Sequence, residues 1–136
     1  VYVVGYINRD ATAVSQPIKA MLWKNGVPQE LPTPAGATSR AVGVFVSGED
    51  VYAAGSIVTS KNRQVAVWKN GVLELFDNDG IYVDVSGIFV ENSDVFVVGS
   101  ESKDGENRAV YWKNGIKQSL SKDGINSSAS SIFVEG

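Results

Sequence analysis

The tetrapeptide Trp-Lys-Asn-Gly occurs three times, at residues 23–26, 68–71 and 112–115, spaced by 45 and then 44 residues. Two further landmarks keep step with it. Val1-Tyr2-Val3-Val4-Gly5 returns as Val51-Tyr52-Ala53-Ala54-Gly55 and as Val95-Phe96-Val97-Val98-Gly99, and Val44-Phe45-Val46 returns as Ile88-Phe89-Val90 and Ile132-Phe133-Val134. A self-similar period in the forties marks an array of small supersecondary units, each too small to bury its own apolar face and stacked on its neighbours to do so.

Every unit reads as strands. The segments are short, rich in Val, Ile, Phe, Tyr and Trp, and bounded by Gly, Asn, Asp and Ser, and no stretch of ten or more residues carries helical apolar spacing. In the third copy the expected strands are 86–90, 95–100, 108–113 and 116–120. The Asn-Gly step before the last one suits a two-residue hairpin, in which both turn residues need positive φ. The third strand is apolar at successive positions: Ala20-Met21-Leu22-Trp23, Val65-Ala66-Val67-Trp68, Ala109-Val110-Tyr111-Trp112. A sheet with one wet face would alternate, so these sheets must be covered on both sides. The first strand carries small residues, Gly43, Gly87 and Ser131, ahead of its Phe, as a crowded centre requires. The expectation is an all-β, β-propeller architecture of three four-stranded repeats of about 44 residues, half or part of a larger ring.

The order x-Ala-x-x-Trp-Lys-Asn-Gly, then Leu, then Ser-x-Ala-x-x-Ile-Phe-Val, then Val-Tyr-Val-Val-Gly resembles the HAF family of bacterial extracellular repeats, and is similar to related repeats of bacterial surface proteins and lipoproteins. The resemblance runs through the whole chain. It departs at the stretch that names the family, where this chain has Lys19-Ala20-Met21, Val65-Ala66-Val67 and Ala109-Val110-Tyr111 and no His. The resemblance implies a propeller in an extracellular, periplasmic or cell-surface protein, and carries over no catalytic residue.

Composition narrows the chemistry. With no His among 136 residues, Ser-His-Asp catalysis and His-ligated zinc are excluded. With no Cys, so are disulfides and thiolate metal sites. The net charge of −3 is spread along the chain without a basic cluster, which argues against nucleic acid as a partner. No apolar run is long enough for a bilayer-spanning helix and no signal peptide is visible, so membrane insertion is not expected. No cofactor motif is found.

The landmarks divide the chain into residues 1–41, 42–85 and 86–129, with 130–136 repeating the start of a unit. The first unit thus lacks its inner strand, and 130–134 offers one. Closed propellers carry roughly four to eight blades. A second copy completing a six-bladed ring is therefore one expectation, and a piece of a longer propeller is the other.

In such a meander the loops joining second to third strands, and fourth strands to the next unit, share one face. Their lengths vary, with five extra residues within 6–17, and variable loops on a rigid scaffold are where ligands usually meet a protein. The candidate ligand contacts are Asn8, Arg9, Asp10, Arg63 and Arg108, for a glycan, peptide or protein. Asp77 and Asp79, in Asp77-Asn78-Asp79-Gly80, are weak calcium candidates without the distal acid of a calcium loop; an Asp/Gly turn is the ordinary reading. The three Trp read as core rather than as sugar platforms. The reading is a non-catalytic binding or structural module, the alternatives being a propeller enzyme of glycosidase or lyase type and an inactive fragment of a longer propeller.

Overall fold

The computed structural model describes residues 1–8, 17–76, 78, 79, 81–122 and 124–136. The described residues form three antiparallel sheets and no helix. The first sheet is β1 (Tyr2–Ile7), β2 (Lys19–Lys24) and β3 (Val27–Glu30), in that order. The second is β4 (Thr38–Ser47), β5 (Asp50–Val58), β6 (Arg63–Lys69) and β7 (Val72–Phe76), and the third is β8 (Tyr82–Glu91), β9 (Asp94–Lys103), β10 (Glu106–Lys113) and β11 (Ile116–Ser119). Both four-stranded sheets are meanders in sequence order.

Three strands are longer than the sequence suggests. β8 begins at Tyr82 rather than at residue 86, because a bulge between Val85 and Gly87 lets the ladder with β9 continue past the irregularity. A matching bulge interrupts β4 between Ala41 and Gly43. β9 reaches Lys103 and β10 starts at Glu106, so the expected loop between them is a two-residue turn. Asp104 and Gly105 take φ of 52° and 79°, the conformation that Asp-Gly hairpins favour.

The bulges explain a glycine in each large sheet. A Cβ on Gly55 would lie 1.8 Å from the Arg40 carbonyl oxygen, and one on Gly99 would lie 1.9 Å from that of Asp84. Both obstacles are backbone, so no side chain fits without opening the ladder.

Sheets stack in chain order. β4 packs on β1 and β2, and β8 packs on β4, β5 and β6. The second sheet is accordingly covered on both faces, and alternate residues of a strand serve different cores. Ala66 and Trp68 of β6 join Leu22, Leu31, Ala41 and Ile57 against the first sheet. Val65 and Val67 join Val83, Val85, Val97 and Trp112 against the third. Trp68 is 1% exposed and its indole N–H donates to the Pro32 carbonyl at 2.8 Å, while Trp112 is fully buried. Trp23, on the face of the first sheet that no sheet covers, is only partly buried.

Hydrogen bonds tie each inner strand to the preceding sheet. Ser39 donates its N–H to the Ile18 carbonyl at 2.9 Å, and its hydroxyl accepts the Ala20 N–H at 2.8 Å. Ser127 repeats this, donating to the Asn107 carbonyl at 2.8 Å and accepting from the Ala109 N–H at 3.0 Å. At the intervening position stands Val83, and the task passes to Asn78, buried, whose Nδ2 donates to the Arg63 carbonyl at 2.6 Å and to the Ile81 carbonyl. Residues 125–136 join no ladder, yet they run beside β8. The rings of Phe45 and Phe89 lie 4.7 Å apart and those of Phe89 and Phe133 lie 5.1 Å apart.

Truncating the middle Trp leaves a cavity between two sheets. Trp68→Ala costs about 3–5 kcal/mol in urea unfolding, whereas Val72→Ala, at a position 71% exposed, changes stability by less than about 0.5 kcal/mol. A Trp68→Ala loss below about 1 kcal/mol would contradict the two-faced core.

Candidate binding surface

The two ends of the sheets differ in the polar groups they carry. At one end lie the Asn-Gly turns, and every residue of Trp-Lys-Asn-Gly has a structural task there. Asn25, Asn70 and Asn114 adopt φ of 50°, 49° and 50°. The Asn70 side chain accepts the Val51 N–H at 2.9 Å and donates to Asp50 at 2.8 Å, fastening one hairpin turn to the next. Asn114 does the same with Val95 at 2.9 Å and Asp94 at 2.8 Å, and Asn25 accepts from the Val1 ammonium at 2.6 Å. Lys69 and Lys113 pair with Asp50 at 3.3 Å and Asp94 at 3.1 Å. Lys24, Lys69 and Lys113 also sit 5.8, 5.4 and 5.5 Å over the rings of Tyr2, Tyr52 and Phe96.

A recess of about 230 Å³ opens at this end between the first and second sheets, with Leu31 and Trp68 among its walls. Phe76 occupies the position corresponding to Leu31, and between the second and third sheets its ring reaches within 3.4 Å of where a Gly115 Cβ would stand. The recess therefore reflects a smaller side chain at one junction. On its rim, Asn70 is engaged in holding the turns and Lys24 lies over the ring of Tyr2.

At the opposite end lie the connections from β5 to β6 and from β9 to β10, and the entries into β4 and β8. Arg63, the first residue of β6, is the most elaborated side chain there. It donates from Nη1 to the Tyr82 hydroxyl, pairs through Nη2 with Asp84 at 2.8 Å, and lies with its guanidinium carbon 4.8 Å over the Tyr82 ring. Its Nε is buried without a hydrogen-bond partner. Arg40, exposed on β4, stacks 4.7 Å over the ring of Tyr6. Both arginines line one recess of about 310 Å³, shared with Thr38, Ser39, Val58 and Tyr82. A second recess of about 240 Å³, around Thr59, Ser60 and Lys61, shares Arg63 and Tyr82 with it.

The sequence-derived candidates distribute unevenly. Arg63 stands at the centre of this surface, although in a strand rather than a loop. Arg108 lies two residues inside β10, pairs with Glu106 at 3.2 Å, and belongs to a different sheet. Asn8 is exposed just after β1, while Arg9 and Asp10 lie outside the described residues. Asp79 occupies a turn at φ 53°, and Asp77 also lies outside the described residues. Among the described residues no group of three or more His, Cys, Asp or Glu side chains could hold a metal ion. Glu101 is the only buried carboxylate among them, and it accepts from Lys117 at 2.6 Å. Arg40, Tyr6, Tyr82 and Asp84 were not among the candidates. They sit at strand ends, and only the packing of β8 beside β6 brings Tyr82 and Asp84 to Arg63.

No model of a known protein family matches this chain, and no curated protein is significantly similar to it.

The side-chain bond from Asn70, and then Lys69, hold the Asp50 carboxyl below its ordinary value of 3.8. Asn114 and then Lys113 do the same for Asp94. A lowered folded-state value means stabilisation that is present above 3.8 and lost as pH falls through the lowered value. Replacing both by Asn should lower the melting temperature at neutral pH and flatten its decline between about pH 4 and 2. Since both groups are exposed, the difference should shrink in high salt. Parallel melting curves for the two proteins across that range would refute the assignment.

Proposed function

We propose that this chain is part of a β-propeller and serves as a non-catalytic binding module of an exported or surface protein. Its ligand-binding surface is the end that carries Arg40, Arg63 and Tyr82. The observation that carries the reading is the pairing of two guanidinium groups, those of Arg40 and Arg63, on one recess. Guanidinium groups recognise carboxylates through paired N–H donors; Arg63 already holds Asp84, and Arg40 stands exposed beside it. The module thus suits a ligand that presents a carboxylate, from an acidic glycan or a peptide. The motif resemblance to extracellular HAF repeats supports the exported setting. The propeller reading rests on sheets that follow one another in chain order with inner strands side by side.

The test is calorimetric titration with oligogalacturonate and with a polyglutamate peptide, each against a neutral counterpart of equal length. One acidic ligand should bind and its neutral counterpart should not. Arg40→Ala, at an exposed position, should weaken that binding about tenfold, or 1.4 kcal/mol. Equal binding of the neutral counterpart, or affinity indifferent to Arg40→Ala, would reject the reading.

A further inference from the structure

Two recesses adjoin at the arginine-bearing end, and one wall serves both. The recess of about 310 Å³ and its neighbour of about 240 Å³ share Val58, Arg63 and Tyr82. Tyr82 is 50% exposed, and the Arg63 guanidinium braces its ring from a distance of 4.8 Å. Arg63 is itself tied to Asp84 at 2.8 Å, so its charge is balanced within the protein. The shared wall is an aromatic ridge held from behind by a neutralised arginine.

Each recess has a further cation of its own. Arg40 lines the larger and Lys61 the smaller. Lys61 stands on a turn fastened from within. The Thr59 N–H donates to the Asn62 carbonyl at 3.0 Å, and the Thr59 hydroxyl accepts the N–H groups of Lys61 and Asn62, each at 3.2 Å. Both cations are exposed, and neither is paired with a carboxylate among the described residues. A chain laid over the ridge thus meets a cation, then an aromatic ring, then a second cation.

One carboxylate on each of two consecutive units answers that order. Among chains built this way, a polyuronate also brings a rigid sugar ring to each unit, and the C–H face of such a ring packs on an aromatic surface. A polyglutamate brings flexible side chains whose ordering costs conformational entropy. We propose that the arginine-bearing end binds two consecutive uronate units of an acidic glycan. Arg40 takes one carboxylate and Lys61 the other, and Tyr82 packs against the sugar between them. Once the first unit is seated the second binds from an effectively high local concentration, so the two subsites reinforce each other. The proposal rests on the carboxylate-binding reading and names the ligand class for it.

Calorimetric titration with galacturonate and digalacturonate counts the subsites. The disaccharide should bind at least about tenfold tighter than the monosaccharide; equal affinities overturn the proposal. Lys61→Ala should weaken disaccharide binding about tenfold, towards the level of the single sugar. Lys24→Ala removes the same charge at the opposite end and should change it less than about twofold, because screening confines the effect of a distant charge. No loss in Lys61→Ala, or the same loss in both variants, overturns the second subsite. Tyr82→Leu should weaken the disaccharide about tenfold, and Tyr82→Phe, which keeps the ring, less than about threefold. Equal effects of these two substitutions overturn the packing role of the ring. Arg40-dependent binding of polyglutamate without binding of either uronate would overturn this proposal and leave the carboxylate reading standing. Failure of every acidic ligand would remove both.

Discussion

Val67 and Trp68 are adjacent in β6, yet they belong to different cores. One side chain packs against the third sheet and the other against the first. Because successive strand residues point to opposite faces, an apolar run obliges its sheet to find cover on both sides. That obligation governs the rest of the molecule. It makes sheets stack in series and brings β4 and β8 together.

The close approach of inner strands has its own signature. A Cβ on Gly43 would stand 3.2 Å from the Ile88 side chain and 3.3 Å from its backbone nitrogen, which is why a small residue precedes the Phe. The phenylalanines then form a row at centroid spacings near 5 Å. Aromatic edges and faces meet in tilted and T-shaped pairs there, giving the row contact energy beyond simple burial. With the inner strands packed closely, variation in the chain is pushed to the connections at the arginine-bearing end.

The division of labour within Trp-Lys-Asn-Gly explains why it recurs. In the second copy Trp68 fills the space between sheets, Asn70 takes the left-handed turn position and bridges two hairpins, Gly71 completes the turn, and Lys69 covers an aromatic ring while meeting an Asp, as Lys113 and Asn114 do in the third. The arginine-bearing surface does not repeat in this way. Arg40 and Arg63 have no counterparts in the other copies, where Asp84 and Ser128 take the first position and Ile18 and Asn107 the second. Departure from repetition is thus the signal that could have drawn Arg40 into the candidate set alongside Arg63. Asp104-Gly105 was a legible hairpin signal too, and it makes the third copy's expected loop a turn.

The sequence alone determined the all-β class, the order of strands within each unit, the positive-φ turns and the two-faced burial of the third strand, because these depend on local backbone preference and on alternation along a strand. Only the tertiary structure decided that β4 and β8 are bulged and longer than their apolar signatures. It alone put Tyr82 and Asp84 beside Arg63. Those facts concern residues that meet across sheets, where the distance between two atoms is set by how one apolar face settles on another and by no pattern within either strand.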